Sequence, residues 1–464
     1  MTLTERFARI RSPGPAFLLT VVAALAVFVG FPIGTDAATM LAITLFCVVL
    51  WVLTPVPPAY TGVLCIGLVG AAFSTELALV GFRSPATWLI GFGLLIGLAT
   101  RESGLADWAG RWLVARAVPT RWRGDPIRAY ASLLVALCLG ALAFALLVPS
   151  TLVRVLVLAP VLYETGESFA DREARIGLFL GPLFATFYGA SGIYTAALPN
   201  VIITGIAESV GDFAIGWTEW ALVLFPVMGL ARTLLVAGIV LALYRPAVDS
   251  GVEVPENGPG AAGASERRMA LFLLVGTLFW TTDFFHGLHP VFGAILVVAL
   301  AFLPSIGVVE FSRAGEPDYS ILFFLGGVFA VGEGLSRTGF ADLAAGTLFD
   351  AIPADGSLAL VLAFVFGATI LLNLLMEGLA VASVLTPVLV SYAASAGLPL
   401  EPVVMTEALA LGTYFFPYQS AVLVAILAQD GVEAGDLIRV TVACSLATIA
   451  ILLPIQLGVF SILY

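Results

Sequence analysis

Lysine is absent from this 464-residue chain, and histidine occurs only as His286 and His289. All the permanent positive charge rests on 20 arginines against 31 acidic residues, and just 11% of the chain is charged. A net charge of −11 with so few cations excludes a surface built to grip nucleic acid. The acidic excess lies in loops, as solubilising charge or as an adaptation to high salt. Cysteine is scarce too: Cys47, Cys65, Cys138 and Cys444 lie in apolar runs without paired spacing and read as small core residues. The apolar segments hold no H-E-x-x-H, paired-aspartate or Ser/His constellation, so neither a metal-dependent nor a nucleophilic enzyme is indicated. What is abundant is apolar sequence: 60% of residues, with a mean hydropathy of +1.07. That composition excludes an ordinary soluble domain and predicts an all-α polytopic membrane protein of about ten or more spans. Arg6, Arg9 and Arg11 precede a first apolar run of span length, so no cleavable signal is expected.

After a tail at 1–15, spans are expected near 16–35, 38–54, 58–76 and 87–101. Residues 101–128 carry six arginines in an amphipathic pattern that should lie along a membrane surface. The segment 129–163 is interrupted at Pro149 and fits a re-entrant helical hairpin. Residues 174–209 read as a span broken by Gly189, Gly192 and Pro199-Asn200, and 219–244 closes a first repeat covering 16–245. A polar, glycine-rich linker occupies 246–268. The second repeat, 269–464, holds spans near 269–286, 289–306 and 320–336, a hairpin at 357–397, a broken span at 403–429 and a last span at 438–462. The repetition is visible residue by residue: shifting 91–107 by 235 lays Gly91, Gly97, Gly104, Ala106 and Asp107 on Gly326, Gly332, Gly339, Ala341 and Asp342.

The most informative stretch runs from Pro149 to Pro160, P-S-T-L-V-R-V-L-V-L-A-P. Pro149 lacks a backbone donor, so the helix breaks there and the next half-helix begins with free N–H groups. An arginine at membrane depth costs roughly 2.5 to 3.5 kcal/mol on insertion scales, so Arg154 should face a cavity or a partner. Together these features describe an anion site.

Charge sets the expected topology. With a cytoplasmic N-terminus, 16 arginines fall in cytoplasmic segments, Arg83 and Arg337 fall outside, and Arg154 and Arg232 lie in the membrane. An odd number of crossings per repeat inverts the second half, giving about 11 transmembrane helices, two re-entrant hairpins, two broken helices and an external C-terminus. Inverted repeats with broken helices mark a secondary transporter whose site lies where half-helix termini meet substrate and ion.

These residues carry a resemblance. Over essentially its whole length the chain resembles the divalent anion/sodium symporter family, also called the sodium-dicarboxylate/sulfate or solute carrier 13 family. That family places a Ser-Asn-Thr-type motif at each hairpin tip, with a proline ten residues beyond the serine. Here Ser150 lies ten before Pro160, and P-S-T-x-x-R from Pro149 to Arg154 is similar to the P-S-N-T-A-R variant, with Thr151 and Leu152 in place of Asn and Thr. A-A-L-P-N, ending at Asn200, resembles the family's T-P-P-N segment. In the second repeat, ten back from Pro387 stands Glu377, followed by Gly378 and Leu379, and F-F-P-Y-Q-S-A from Phe415 to Ala421 marks the second unwound stretch.

The resemblance implies a dimeric, elevator-type transporter in the plasma membrane that carries a C4-dicarboxylate, or less often sulfate, with sodium as coupling ion. Substrate contacts then fall on Ser150, Thr151, Arg154 and Ser420, and cation binding or coupling on Ser150, Asn200, Glu377, Gly378 and Gln419. Each has a plainer reading. Arg154 either binds a substrate carboxylate bidentately or pairs with a carboxylate such as Glu377. Ser150 and Thr151 either donate to the anion or cap the half-helix. Glu377 either caps a helix N-terminus or titrates in place of a bound sodium. Pro199-Asn200 and Gln419-Ser420 either free carbonyls for an ion or simply kink the chain. Proton-coupled or exchange transport of an inorganic oxyanion or another ion is the alternative, with a channel or a membrane-embedded enzyme more remote. Bound sodium and competition by succinate or malate would separate these readings.

Overall fold

The computed structural model describes residues 35–53, 56–211, 213–247, 258–351, 357–375, 378–429 and 432–464. The tail at 1–15, nearly all of the span expected at 16–35, the middle of the linker and Glu377 lie outside the described residues. Every regular element among those described is helical. Apart from single turns at Thr75–Ala78, Val80–Arg83 and Asp283–His286, the helices are α1 (Thr35–Leu53), α2 (Pro58–Ala72), α3 (Pro85–Glu102), α4 (Leu105–Ala117), α5 (Pro126–Leu147), α6 (Thr151–Gly166), α7 (Arg172–Tyr188), α8 (Leu198–Gly211) and α9 (Trp217–Leu243). They continue with α10 (Ala264–Thr281), α11 (Val291–Ala301), α12 (Ser320–Arg337), α13 (Phe340–Ala351), α14 (Leu358–Leu375), α15 (Gly378–Ala396), α16 (Leu400–Leu411), α17 (Ala421–Leu427) and α18 (Ala434–Leu463).

Local chemistry sets where these helices start and stop. Asp125 accepts from the N–H groups of Ile127 and Arg128, both at 3.1 Å, and Pro126 follows at the first helical position, where a missing N–H costs nothing. Asp171 caps α7 through Glu173 N at 2.9 Å. Gly104 (φ 73°) and Gly339 (φ 78°) both adopt the left-handed conformation, and they separate α3 from α4 and α12 from α13. The first of these corners bends the chain by 60°. These two glycines are 235 residues apart, the offset that aligns the sequence with itself.

The order of elements recurs. A helix and a glycine corner (α3/α4) are followed by a pair separated at Pro149 (α5/α6), a broken helix (α7, α8) and a long helix with a π-helical segment, Phe225–Ala231 in α9. The same sequence of parts returns as α12/α13, α14/α15, α16 with α17, and α18 with its π segment at Thr448–Leu452. Six described helices are long and apolar enough to cross a membrane, or seven if the bent pair α3/α4 counts as one span. Three shorter apolar helices, Thr35–Leu50, Pro58–Ala72 and Val291–Ala301, accompany them. The 22-residue α5 is itself among the six, at about 33 Å from 1.5 Å per residue, so length alone does not set a re-entrant arm apart from a span.

The basic stretch 101–128 runs from the end of α3 through α4 and a short turn at Thr120–Trp122 into the start of α5. Trp108 and Trp112 stack with centroids 6.3 Å apart, and Arg116 lies over Trp112 at 4.7 Å, an arrangement suited to an interface. Two apolar cores form behind these elements. One is built mainly from α5, α6, α7, α9 and the start of α18, the other from α1–α3, α8 and α10–α16. The four cysteines are all buried in them.

Candidate functional site

Where the two cores meet, a cavity of about 200 Å³ is lined by the breaks of both repeats. Of the eight positions named from sequence, Ser150, Thr151, Asn200, Gly378, Gln419 and Ser420 all reach its wall. Arg154 does not, and Glu377 lies outside the described residues. No charged side chain is among the described lining residues; Leu89, Ile90 and Leu94 of α3 and Ile321 of α12 supply an apolar side.

The α6 end of the wall is built by Ser150, whose Oγ accepts from Val153 N at 3.4 Å and so caps the helix with its own hydrogen left to donate. The first-turn amides of Thr151 and Leu152 have no intrahelical acceptor. The Thr151 hydroxyl donates to Ala196 O at 2.9 Å, which makes it a strut between α6 and the first break; what it offers an anion is its backbone N–H. That break runs from Gly189 to Ala197 as two short 3-10 turns, and the Asn200 amide holds it by donating to the carbonyls of Ala190 (3.3 Å), Ser191 (3.4 Å) and Ile193 (3.0 Å). On the other side, Gln419 Oε1 accepts from Phe415 N (2.7 Å) and Phe416 N (2.8 Å), while its amide donates to Asn373 O at 2.9 Å. Ser420 caps α17 through Val422 N at 3.3 Å, again leaving a hydroxyl hydrogen. The helices α6, α8 and α15 thus point their N-terminal, partially positive ends at one small space.

Arg154 stands one side chain behind this wall, fully buried. Its Nε donates to Thr186 Oγ1 (2.8 Å), Nη1 to Val148 O (2.6 Å), and Nη2 reaches Thr151 Oγ1 (3.0 Å), Thr186 O (3.1 Å) and Ala196 O (3.0 Å). The guanidinium therefore acts on the cavity through Thr151 and through its charge, not by touching it. A second buried guanidinium, Arg232 of α9, stands behind the wall at Ser191 and Gly412. It donates to Ser191 Oγ (3.1 Å), Gly412 O (3.1 Å), Thr413 Oγ1 (3.1 Å) and Thr448 Oγ1 (3.2 Å), and lies over the Tyr188 ring at 4.5 Å. Neither arginine has a carboxylate partner among the described residues. Sequence reasoning placed Arg232 in the membrane as an interfacial or inter-helix residue and gave it no part in the site, although an intramembrane arginine is a signal in itself; it missed Ser191, Thr195 and Tyr414 on the wall, which carry no such signal.

Backbone meets backbone where the first break packs on α9. A Cβ on Gly192 would stand 2.5 Å from Gly229 N and 2.7 Å from Gly229 Cα, in the π segment of α9. Gly192→Ala is expected to destabilise the protein by about 1–3 kcal/mol, since backbone cannot move aside as a side chain can; a thermal-shift measurement in detergent reads it, and an unchanged midpoint would count against this packing.

A larger, more open crevice of about 830 Å³ lies among Glu208, Glu219, Asp283 and His289. Its acidic wall makes it a poor place for an anion despite its size. Burial holds the imidazole of His289 down at about 4, so it lends no positive charge near neutral pH.

A helical bundle in which two unwound breaks and several helix N-termini enclose a buried, positively framed cavity is the architecture of a membrane transporter. The chain belongs to the family described as the sodium:sulfate symporter transmembrane region, which it matches over residues 14–463. It is similar to the L-tartrate/succinate antiporter of Escherichia coli (strain UTI89 / UPEC), 25% identical over 449 residues, covering 86% of this chain and 88% of that protein. The L-tartrate/succinate antiporter of Shigella boydii serotype 4 (strain Sb227) matches with the same identity and coverage. Among solved structures, the Alcanivorax borkumensis YdaH transporter superposes with a TM-score of 0.53 at 17% identity, over 84% of this chain and 88% of its own. Neisseria gonorrhoeae MtrF, described as illuminating a class of antimetabolite efflux pumps, gives 0.50 at 14% identity, over 96% and 97%. The protein is thus a multi-pass membrane transporter and not an enzyme.

Proposed function

We propose that the cavity between the two breaks carries a C4-dicarboxylate. The observation that supports this most directly is the pair of buried guanidiniums, Arg154 and Arg232, flanking an otherwise uncharged wall without carboxylate partners among the described residues. Two positive charges with no carboxylate partner among the described residues, and three helix N-termini, are what a dianion needs in place of water. A space of about 200 Å³ falls below the roughly 300–1,000 Å³ usual for drug-sized ligands and suits a small metabolite. Ser150 and Ser420 then donate hydroxyl hydrogens from opposite repeats, and the free amides of Thr151 and Leu152 face the same carboxylate end of the ligand. Sodium is the coupling ion of this reading, drawn to the neutral oxygens of Ser150 and Asn200 on one side and of Gly378 and Gln419, with Glu377, on the other. Its charge lowers the cost of bringing the dianion in, so each ligand raises the other's affinity. The loaded domain then moves against a scaffold, with the N-terminus cytoplasmic, the C-terminus external and two copies per assembly.

The antiporter names of the relatives favour a second reading, exchange of one dicarboxylate for another without net cation movement. Proteoliposomes holding the full chain separate the two. Uptake of labelled succinate that requires an inward sodium gradient supports symport; uptake that requires internal succinate or tartrate and ignores sodium supports exchange. Sulfate uptake that succinate does not inhibit would overturn the dicarboxylate assignment.

A further inference from the structure

The transport reading leaves one deeply buried acid without a task. Glu407 lies in the middle of α16 with no solvent exposure. Its Oε1 accepts from the Thr386 hydroxyl of α15 at 2.9 Å, and its Oε2 has no partner. The helices packed on α16 bring no cation to it. Described α14 has no titratable residue, α15 has Tyr392 alone, and α8 has Glu208, which lies 3.7 Å from the His289 ring. Glu401, on the same helix, is nearly two turns earlier, and Glu377 lies outside the described residues. An ionised carboxylate with one bare oxygen in such a place is strongly disfavoured, whereas a neutral acid bonded to Thr386 is accommodated.

Position gives the acid a route to the cavity. It is five residues before Gly412, where α16 ends at the cavity wall, or about 7.5 Å along the axis at 1.5 Å per residue. Its partner helix α15 begins at Gly378, on the same wall. Glu407 therefore fastens the second arm of one helix pair to the first half of a broken helix, both of which end at the anion cavity.

We propose that Glu407 is a proton-binding site: a neutral acid in the state described, exchanging its proton with water through the cavity and joining α15 to α16 through Thr386 while protonated. This rests on the transport reading only for its consequence, a proton linkage of carriage; the site itself is independent of what is carried. No charge elsewhere on the packed helices substitutes for the proton. Loss of the proton leaves a bare anion between the two helices and loosens their contact.

Infrared difference spectra of the purified full chain in lipid, recorded while pH is raised from 6 to 10, test the site directly. The expected result is a carbonyl band of a neutral carboxylic acid that shifts in deuterated water, disappears reversibly toward alkaline pH, and is missing in Glu407→Gln. Should Glu407→Gln not fold, Glu407→Asp serves instead, with a displaced band expected. Spectra of wild type and variant that do not differ, or a band that neither titrates nor exchanges, overturn the proposal. Succinate exchange measured on the same preparations separates this from the carriage reading. Wild-type rates should fall at least about fivefold across that pH range and those of Glu407→Gln should stay flat within about twofold; wholly absent exchange alongside a titrating band would count against the dicarboxylate and leave the proton site standing.

Discussion

Arg154→Ala is expected to abolish succinate carriage, with a loss of at least about 100-fold, and to lower stability at the same time. The guanidinium is bound by Val148 O, Thr186 O, Thr186 Oγ1, Ala196 O and Thr151 Oγ1. Each acceptor left bare in a buried setting costs about 1–3 kcal/mol, only partly offset by no longer burying a charge. Stability and charge can be separated by substitution. Arg154→Gln keeps some hydrogen bonds and removes the charge, and is expected to fold while losing at least about 100-fold in transport. Arg154→Lys keeps the charge but not the planar fork, and should lose about tenfold through misplacement of Thr151. Counterflow in proteoliposomes, paired with thermal shifts, gives both readings. A folded Arg154→Gln protein that transports within about twofold of wild type would falsify the idea that this charge serves the anion.

The second large effect concerns Arg232, and it discriminates between ligands. Two unit charges about 8 Å apart in a medium of effective dielectric 20 attract by roughly 2 kcal/mol. Removing the charge with Arg232→Gln therefore weakens a dianion by about 4 kcal/mol and a monoanion by about 2, a roughly thirtyfold change in their affinity ratio. Binding of succinate and of its monomethyl ester, measured by calorimetry on the purified variant and wild type, reads that ratio. Equal losses for the two ligands would mean that Arg232 acts by holding Ser191, Gly412 and Thr413 in place rather than by its field.

Much of this was legible because the signals are local. Pro149 has no N–H and disfavours a continuous helix, and the chain does leave the helix between Leu147 and Thr151. Gly104 and Gly339 were legible as a matched pair and both prove to be left-handed corners. Six of the sequence-derived site positions converge because breaks, caps and prolines mark where a helix opens, and an open helix at membrane depth must line something. What local signals could not give is the direction in which a side chain turns. Arg154 points back into the first break instead of into the cavity, because the carbonyls of Thr186 and Ala196 stand behind it. Thr151 turns the same way, toward Ala196. Arg232 and Glu407 gain their meaning from residues 180 or more positions away and from Thr386, 21 positions away, respectively. No window of sequence contains such partners.

Arg232 belongs to the first half of the chain, yet it fastens Gly412, Thr413 and Thr448 of the second; Tyr188, also of the first half, donates to Tyr414 O at 3.0 Å, an oxygen that Ser445 approaches as well. The cavity is therefore joint property. Neither half encodes a pocket of its own: each supplies one lip and the clasp that shuts the other's. A lesion in one half disturbs intact residues in its counterpart, because the two unwound stretches are riveted together around the space they share.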